Sequence, residues 1–402
     1  MTTFIIFSVL LISLLFIILT GVILSISLLI KKRKGNAIRK TILQLKRNGV
    51  IICVLVVGMF GLSLFSQLTA QTPAILNEEG QIKSGSISEL RQIELNGRKE
   101  WISIRGQDAQ NPVLLFLAGG PGGSQMAAVR HDLAALEKDF VVVNWDQPGS
   151  GKSYDATARS QLTKETYIDD GYALTEYLCQ RFNQEKIYLL GESWGSALGI
   201  FLADQYPNRY HAVIGTGQMI DFLETEIIDY NQALEIARKK SDTAKVDKLL
   251  SNGSPPYYGK DVTLKSAAYL TYLTSYMGEN PAIHNNGYNT LRDIFSPEYS
   301  ILDKINFFRG IITTFNHVYP QLYDIDLRQS YQNLDVPVYF FLGRHDLNAP
   351  TALVEEYVGV LNAPVKKIVW FEHSGHSPWI NESDSFVEEL LQIKNTVSNK
   401  SE

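Results

Sequence analysis

Acidic residues are missing from the front of this chain: no Asp or Glu occurs before Glu78. Charge of either sign is missing from two long stretches there, Phe4 to Ile30 and Val50 to Ala70. As helices rising ~1.5 Å per residue, both are long enough to cross a bilayer. Cysteine is scarce. Cys53 and Cys179 are the only two, one in an apolar run and one far beyond it, which argues against any intramolecular disulfide. The seven histidines include no His-x-x-x-His spacing, and His373 with His376 alone is a weak pair, so neither a metal nor a cofactor is expected. Internal repeats and low-complexity tracts are absent. Gly149-Ser150-Gly151-Lys152-Ser153 looks like a phosphate-binding loop, but Asp146 stands where its first glycine should be, which excludes nucleotide binding.

What the front does contain is cations. Between the apolar runs lie Lys31, Lys32, Arg33, Lys34, Arg39, Lys40, Lys46 and Arg47, a net of +8. Basic loops are retained on the cytoplasmic side, so residues 31–49 should lie inside and everything after Ala70 outside. Met1-Thr2-Thr3 lacks the basic start of a cleaved signal peptide. Two spans of a cell-membrane protein, about 4–30 and 50–70, are therefore expected in an anchor covering 1–70, with the lipid bilayer as partner. The net charge of −5 for all 402 residues leaves −13 beyond the anchor, which makes nucleic acid an unsuitable partner.

Residues 71–85 read as a linker. Ile87 to Glu94 and Glu100 to Ile104 alternate around Asn96-Gly97, a hairpin signal. Short apolar runs then recur at Val113–Leu117, Val141–Trp145, Lys186–Leu190, Ala212–Gly215, Val338–Leu342 and Lys367–Trp370, separated by helical-period segments. Such alternation predicts an α/β fold with a mostly parallel sheet covered on both faces. The interval 218–331 interrupts the rhythm and reads as an inserted helical cap. It divides the core into 86–217 and 332–396, before a tail at 397–402.

Gly191-Glu192-Ser193-Trp194-Gly195 matches Gly-x-Ser-x-Gly, the strand-to-helix elbow that exposes a nucleophilic serine in the α/β-hydrolase fold. A serine hydroxyl needs a base to take its proton, and the base needs a carboxylate to orient it. In the chain order Ser, Asp, His, the candidates are Ser193, Asp346 and His376, with His373 as the rival base. Backbone N–H groups for an oxyanion are expected from Trp194 and from Gly119 and Gly120 in the loop after Val113–Leu117.

Three motifs resemble the prolyl aminopeptidase (proline iminopeptidase) family of serine peptidases, over about Ile87 to Lys394. They are Gly119-Gly120-Pro121-Gly122-Gly123, Trp145-Asp146-Gln147-Pro148-Gly149-Ser150-Gly151-Lys152-Ser153, and Ser193-Trp194-Gly195-Ser196. Ala118, Pro148 and Glu192 depart from the family's histidine, arginine and glycine. The resemblance implies an α/β-hydrolase with a cap, acting near the free N-terminus of a short peptide through an acyl-enzyme. It also implies cap carboxylates that bind the substrate amine, for which Glu224 and Glu226 are the matches; Glu192 is a further candidate to touch substrate. The alternatives are an esterase or lactonase acting on small acyl substrates with the same residues, and a hydrolase-like binding module without catalysis.

Overall fold

The computed structural model describes residues 2–285 and 287–398; of the expected tail, positions 399–402 lie outside the described residues. The chain divides into two compact units, Met1–Gln71 with Phe295–Lys304, and Thr72–Ile294 with Ile305–Glu402.

The first unit holds two helices, Thr2–Arg33 and Arg39–Leu68, each long and apolar enough to cross a membrane. The basic stretch expected as a loop over 31–49 is largely helical instead, because Lys and Arg are good helix formers. Only residues 34–38 form the turn. Polar bonds tie the two helices together: Asn48 Nδ2 donates to Thr20 Oγ1 at 2.9 Å, and Lys31 Nζ donates to Thr41 Oγ1 at 3.0 Å. In an apolar setting such bonds fix helix pairing. The segment Phe295–Lys304 belongs to this unit although the sequence pattern assigns it to the cap. Ser300 Oγ donates to Gln67 Oε1 at 2.8 Å, the Ile301 N–H donates to Ser66 Oγ at 3.0 Å, and the Phe295 and Phe4 rings meet edge to face.

The second unit is built on one eight-stranded sheet. Its strands are β1 (Ile87–Leu95), β2 (Arg98–Gly106), β3 (Val113–Leu117), β4 (Val141–Asp146), β5 (Ile187–Glu192), β6 (Tyr210–Thr216), β7 (Val338–Gly343) and β8 (Lys366–Phe371). The order is β1-β2-β4-β3-β5-β6-β7-β8, antiparallel through β1-β2-β4 and parallel onward. Asn96 and Gly97 both take positive φ, as the tight hairpin between β1 and β2 requires. The pleat divides β3 between two cores: Leu114 and Phe116 pack on one face of the sheet, Val113, Leu115 and Leu117 on the other. All five are buried, which explains why the strand reads as a continuous apolar run.

Between β6 and β7 lie cap helices, chiefly Phe222–Lys239, Thr243–Asn252 and Val262–Gly278. They share a small core of their own that includes Tyr230, Leu249, Val262, Tyr269 and Leu273. Parallel strands bring the carboxyl ends of β3, β5, β6, β7 and β8 to one edge of the sheet, where open α/β folds place their sites.

Candidate active site

β5 delivers Ser193 at that edge. The helix Trp194–Gln205 starts immediately after it, so Ser193 must turn the chain in a single residue. It does so at φ 53°, ψ −121°, a conformation that costs a non-glycine residue about 1–3 kcal/mol and persists only where its surroundings enforce it. Two glycines make the turn possible. A Cβ on Gly191 would strike the Gly195 carbonyl, and one on Gly195 would strike the Leu117 carbonyl. The Ser193 N–H is anchored to Thr216 O on β6 at 3.0 Å.

Asp346 follows β7 and His376 follows β8. His376 Nδ1 lies 3.0 and 3.1 Å from the two Asp346 oxygens, and the Asn348 and Ala349 N–H groups donate to Asp346 Oδ1. The His376 ring lies against Gly217, just past β6: a Cβ at that position would be 2.6 Å from His376 Cε1. Burial favours the neutral ring, but the Asp346 charge and hydrogen bond, with the Glu192 charge, outweigh it and raise the His376 pKa to about 9. The rival, His373, turns away. It stacks on His284 with ring centroids 4.0 Å apart, and its Nδ1 faces the Ala282 carbonyl.

The loop after β3 is held by two glutamines. Gln147, one residue past β4, donates to Ala118 O and accepts from Trp194 Nε1, both at 3.0 Å. Gln125 Oε1 accepts the Gly119 N–H at 2.8 Å. That bond corrects the expectation for Gly119, whose N–H is committed within the loop. Gly120 remains, as does Trp194, whose N–H is among those that a helix start leaves without an intrahelical acceptor. Sequence reasoning missed both glutamines, although Gln147 lies in a motif it singled out.

The three carboxylates expected to meet substrate separate. Glu224 is drawn off by Arg328, which also binds Asp221, Asp326 and Glu356. Glu192 is 2 % exposed, with Oε1 taken by Ser377 and Trp379 and Oε2 by Gln125 and Tyr288, so it faces inward rather than toward a ligand. Glu226 is buried on the inner face of Phe222–Lys239. It accepts from Ser266 and Tyr319 at 3.0 Å and from Tyr269; burial raises its pKa, opposed by those hydroxyls.

One turn on, at i+3, stands Asp229, which the sequence reading did not select. It is fully buried, and neither carboxylate oxygen has a hydrogen-bond partner among the described residues. Burial, then the charges of Glu226 and Asp346, push its pKa well above the usual carboxylate range. The signal was present: Glu226 and Asp229 both lie on the buried stripe formed by Phe222, Thr225, Tyr230 and Ala233.

A cavity of about 370 Å³ adjoins His376, lined by Met277, Ile283, Tyr288, Asn348 and Asn381 among others. A larger hollow of about 680 Å³, near Pro112, Lys186, Tyr210 and Pro337, lies at the amino ends of the strands, the wrong end of the sheet for Ser193.

These features define a hydrolase of the α/β fold, and the family model described as alpha/beta hydrolase fold matches residues 112–244. The chain belongs to that family. It is 32 % identical over 309 residues to "Probable aminopeptidase YbaC" of Bacillus subtilis (strain 168), covering 76 % of this chain and 96 % of the relative. A proline iminopeptidase of Lactobacillus helveticus (strain DPC 4571) is 33 % identical over 120 residues, 29 % of this chain and 40 % of that protein. Among solved structures, a proline iminopeptidase from Mycobacterium smegmatis superposes with TM-score 0.57 at 18 % identity, over 78 % of this chain and all of the other.

Proposed function

We propose that this protein is a membrane-anchored serine aminopeptidase that removes N-terminal residues from short peptides through Ser193, His376 and Asp346. Ser193 Oγ adds to the scissile carbonyl carbon while His376 Nε2 takes its proton, and Asp346 holds Nδ1–H so that Nε2 is the free base. The oxyanion accepts hydrogen bonds from the Trp194 and Gly120 N–H groups. Collapse of the tetrahedral intermediate breaks the C–N bond, and the departing amine takes the proton from His376. Water, deprotonated by the same imidazole, then releases the acyl group and restores Ser193.

The observation that carries the peptidase reading is Asp229. A buried carboxylate with no donor to satisfy it is costly. Beside it are Glu226, satisfied by hydroxyls, and Asp346, paired with His376. A substrate ammonium is the partner that this cluster lacks. The likeness to proteins named as aminopeptidases supports the same reading. Two long apolar helices, with eight cations gathered at and around the turn that joins them, support an anchor with the hydrolase unit outside the cytoplasm.

The test uses the full chain in detergent with matched aminoacyl arylamides, amine free or acetylated. A charge-assisted hydrogen bond contributes roughly 1.5–3 kcal/mol, so Asp229→Asn should lower kcat/KM on free-amine substrates by about 10- to 150-fold. The acetylated series should be poor for both proteins. Equal turnover of free and acetylated substrates by the wild type would overturn the peptidase reading in favour of an esterase.

A further inference from the structure

Glu192, directly before Ser193, receives donors from three parts of the second unit. Ser377 Oγ (2.6 Å) and Trp379 Nε1 (2.9 Å), just beyond His376, donate to its Oε1. Gln125 Nε2, from the segment after the glycine loop, and the Tyr288 hydroxyl, from the segment between cap helices, both donate to Oε2. Gln125 also donates to the Tyr288 oxygen. Among the described residues, no lysine or arginine takes part. Tyr288 is exposed overall, with its hydroxyl turned inward; burial of that hydroxyl and the Glu192 charge hold its pKa well above the ordinary value, keeping it a donor.

From this we infer that Glu192 is a positioning residue, a buried anion that fixes the glycine loop, the His376 loop and the cap onto one anchor behind Ser193. The inference rests on the proposed role of Ser193 and His376. A carboxylate suits the task because it accepts on both oxygens. An amide in its place would accept on one and present an N–H₂ to donors on the other, leaving buried groups unsatisfied. The carboxylate also sets the sense of the Gln125 side chain. Its NH₂ end must face Glu192, so its Oε1 end must face Gly119, and the N–H of the glycine loop is thereby held. At the glycine that the resembling family carries here, no such anchor could form.

The position has an electrostatic consequence as well. The charged groups acting on His376 are Asp346 from the loop after β7 and Glu192 from the end of β5, and both favour the imidazolium. Tyr288 is the titratable group that faces Glu192 from the cap. Neutralising Glu192 therefore makes His376 a weaker base, and its titration moves to lower pH.

The experiment compares wild type, Glu192→Gln, Glu192→Asp and Tyr288→Phe as full chains in detergent, with Ser193 reactivity read by a fluorophosphonate probe and thermal unfolding followed in parallel. Glu192→Gln should lower kcat by about 10- to 100-fold and shift the ascending limb of the kcat/KM–pH profile downward. Glu192→Asp, which keeps the charge on a shorter arm, should lose kcat while holding the wild-type limb. Loss of stability alone would not move the limb. A Glu192→Gln variant with wild-type kcat and limb overturns the inference. If that variant does not fold, Tyr288→Phe decides, since it removes one donor and leaves the charge: a 3- to 10-fold fall in kcat with the limb in place is expected, and an unchanged kcat overturns the anchor. If wild type itself fails to label at Ser193, the serine hydrolase reading has failed. If it labels normally and only the variants behave as wild type, the fault lies with Glu192 alone.

Discussion

At the scale of single residues, the site is a set of groups each held in a state it would not adopt alone. Ser193 is held at positive φ, which serves little purpose unless its hydroxyl is wanted clear of the backbone. Ser193→Ala should keep the fold and lower kcat by about 10⁵–10⁶-fold, measured as turnover beside an unchanged unfolding transition. A variant keeping a tenth of the activity would reject the assignment. His376 is held protonated to about pH 9. In its proposed role as base it must be neutral, so kcat/KM should rise as pH approaches that value from below. Asp346→Asn removes the principal charge that raises it, and should move the limb down while lowering the rate. On the proposed function, a free-amine substrate brings a cation to Asp229 and Asp346, which opposes the proton on His376. The limb of kcat, which reports the bound complex, should then lie at lower pH than the limb of kcat/KM, and the two should coincide for acetylated substrates.

Asp229 carries the opposite linkage. Its folded pKa is raised, so its contribution to stability is most favourable below the ordinary aspartate range and declines as pH rises toward the shifted value. Asp229→Asn should therefore raise the unfolding temperature at neutral pH while costing activity on free amines, an exchange common at binding sites. Glu224→Gln, at the Arg328 cluster, should leave kcat/KM near wild type.

Secondary-structure elements supply the precision. Gly217 closes β6 at φ 49° with the His376 ring against it, so Gly217→Ala both strains the backbone and pushes the ring. A displacement of ~1 Å can cost about 100-fold in rate. That loss in kcat, with Ser193 still accessible to the probe, is the expected outcome; an undisturbed kcat would detach Gly217 from the His376 geometry. The strands were readable because each is a short apolar run bounded by turn residues, and Asn96-Gly97 named its own turn. The elbow was readable because close backbone approach demands glycine on both sides of Ser193. The cap carboxylates were harder. Glu224 and Glu226, two apart on a helix, point to opposite sides, so at most one could face inward; Glu226 and Asp229 share a face. Choosing between them needed the helix's orientation on its neighbours. Gln125 and Gln147 were hidden for a related reason, since a glutamine's partners across the chain leave no local pattern.

For the molecule as a whole, charge is divided as sharply as structure: +8 in the first 70 residues and −13 in the remainder. If the two apolar helices span the membrane with their basic ends and the joining turn inside, protease added to intact cells should remove the second unit and spare residues 31–49. Protection of that unit would overturn the topology.

The segment Phe295–Lys304 bears on how the chain comes into being. Ser66 and Gln67, near the end of the second helix, find their partners in Ile301 and Ser300. At about 5–20 residues per second of synthesis, the roughly 230 residues in between occupy on the order of 10–50 s. For that interval the nascent hairpin stands unfinished, with its closing piece still in or behind the ribosome. A shortened protein starting at Thr72 would meet the converse problem, carrying a closing piece with nothing to close.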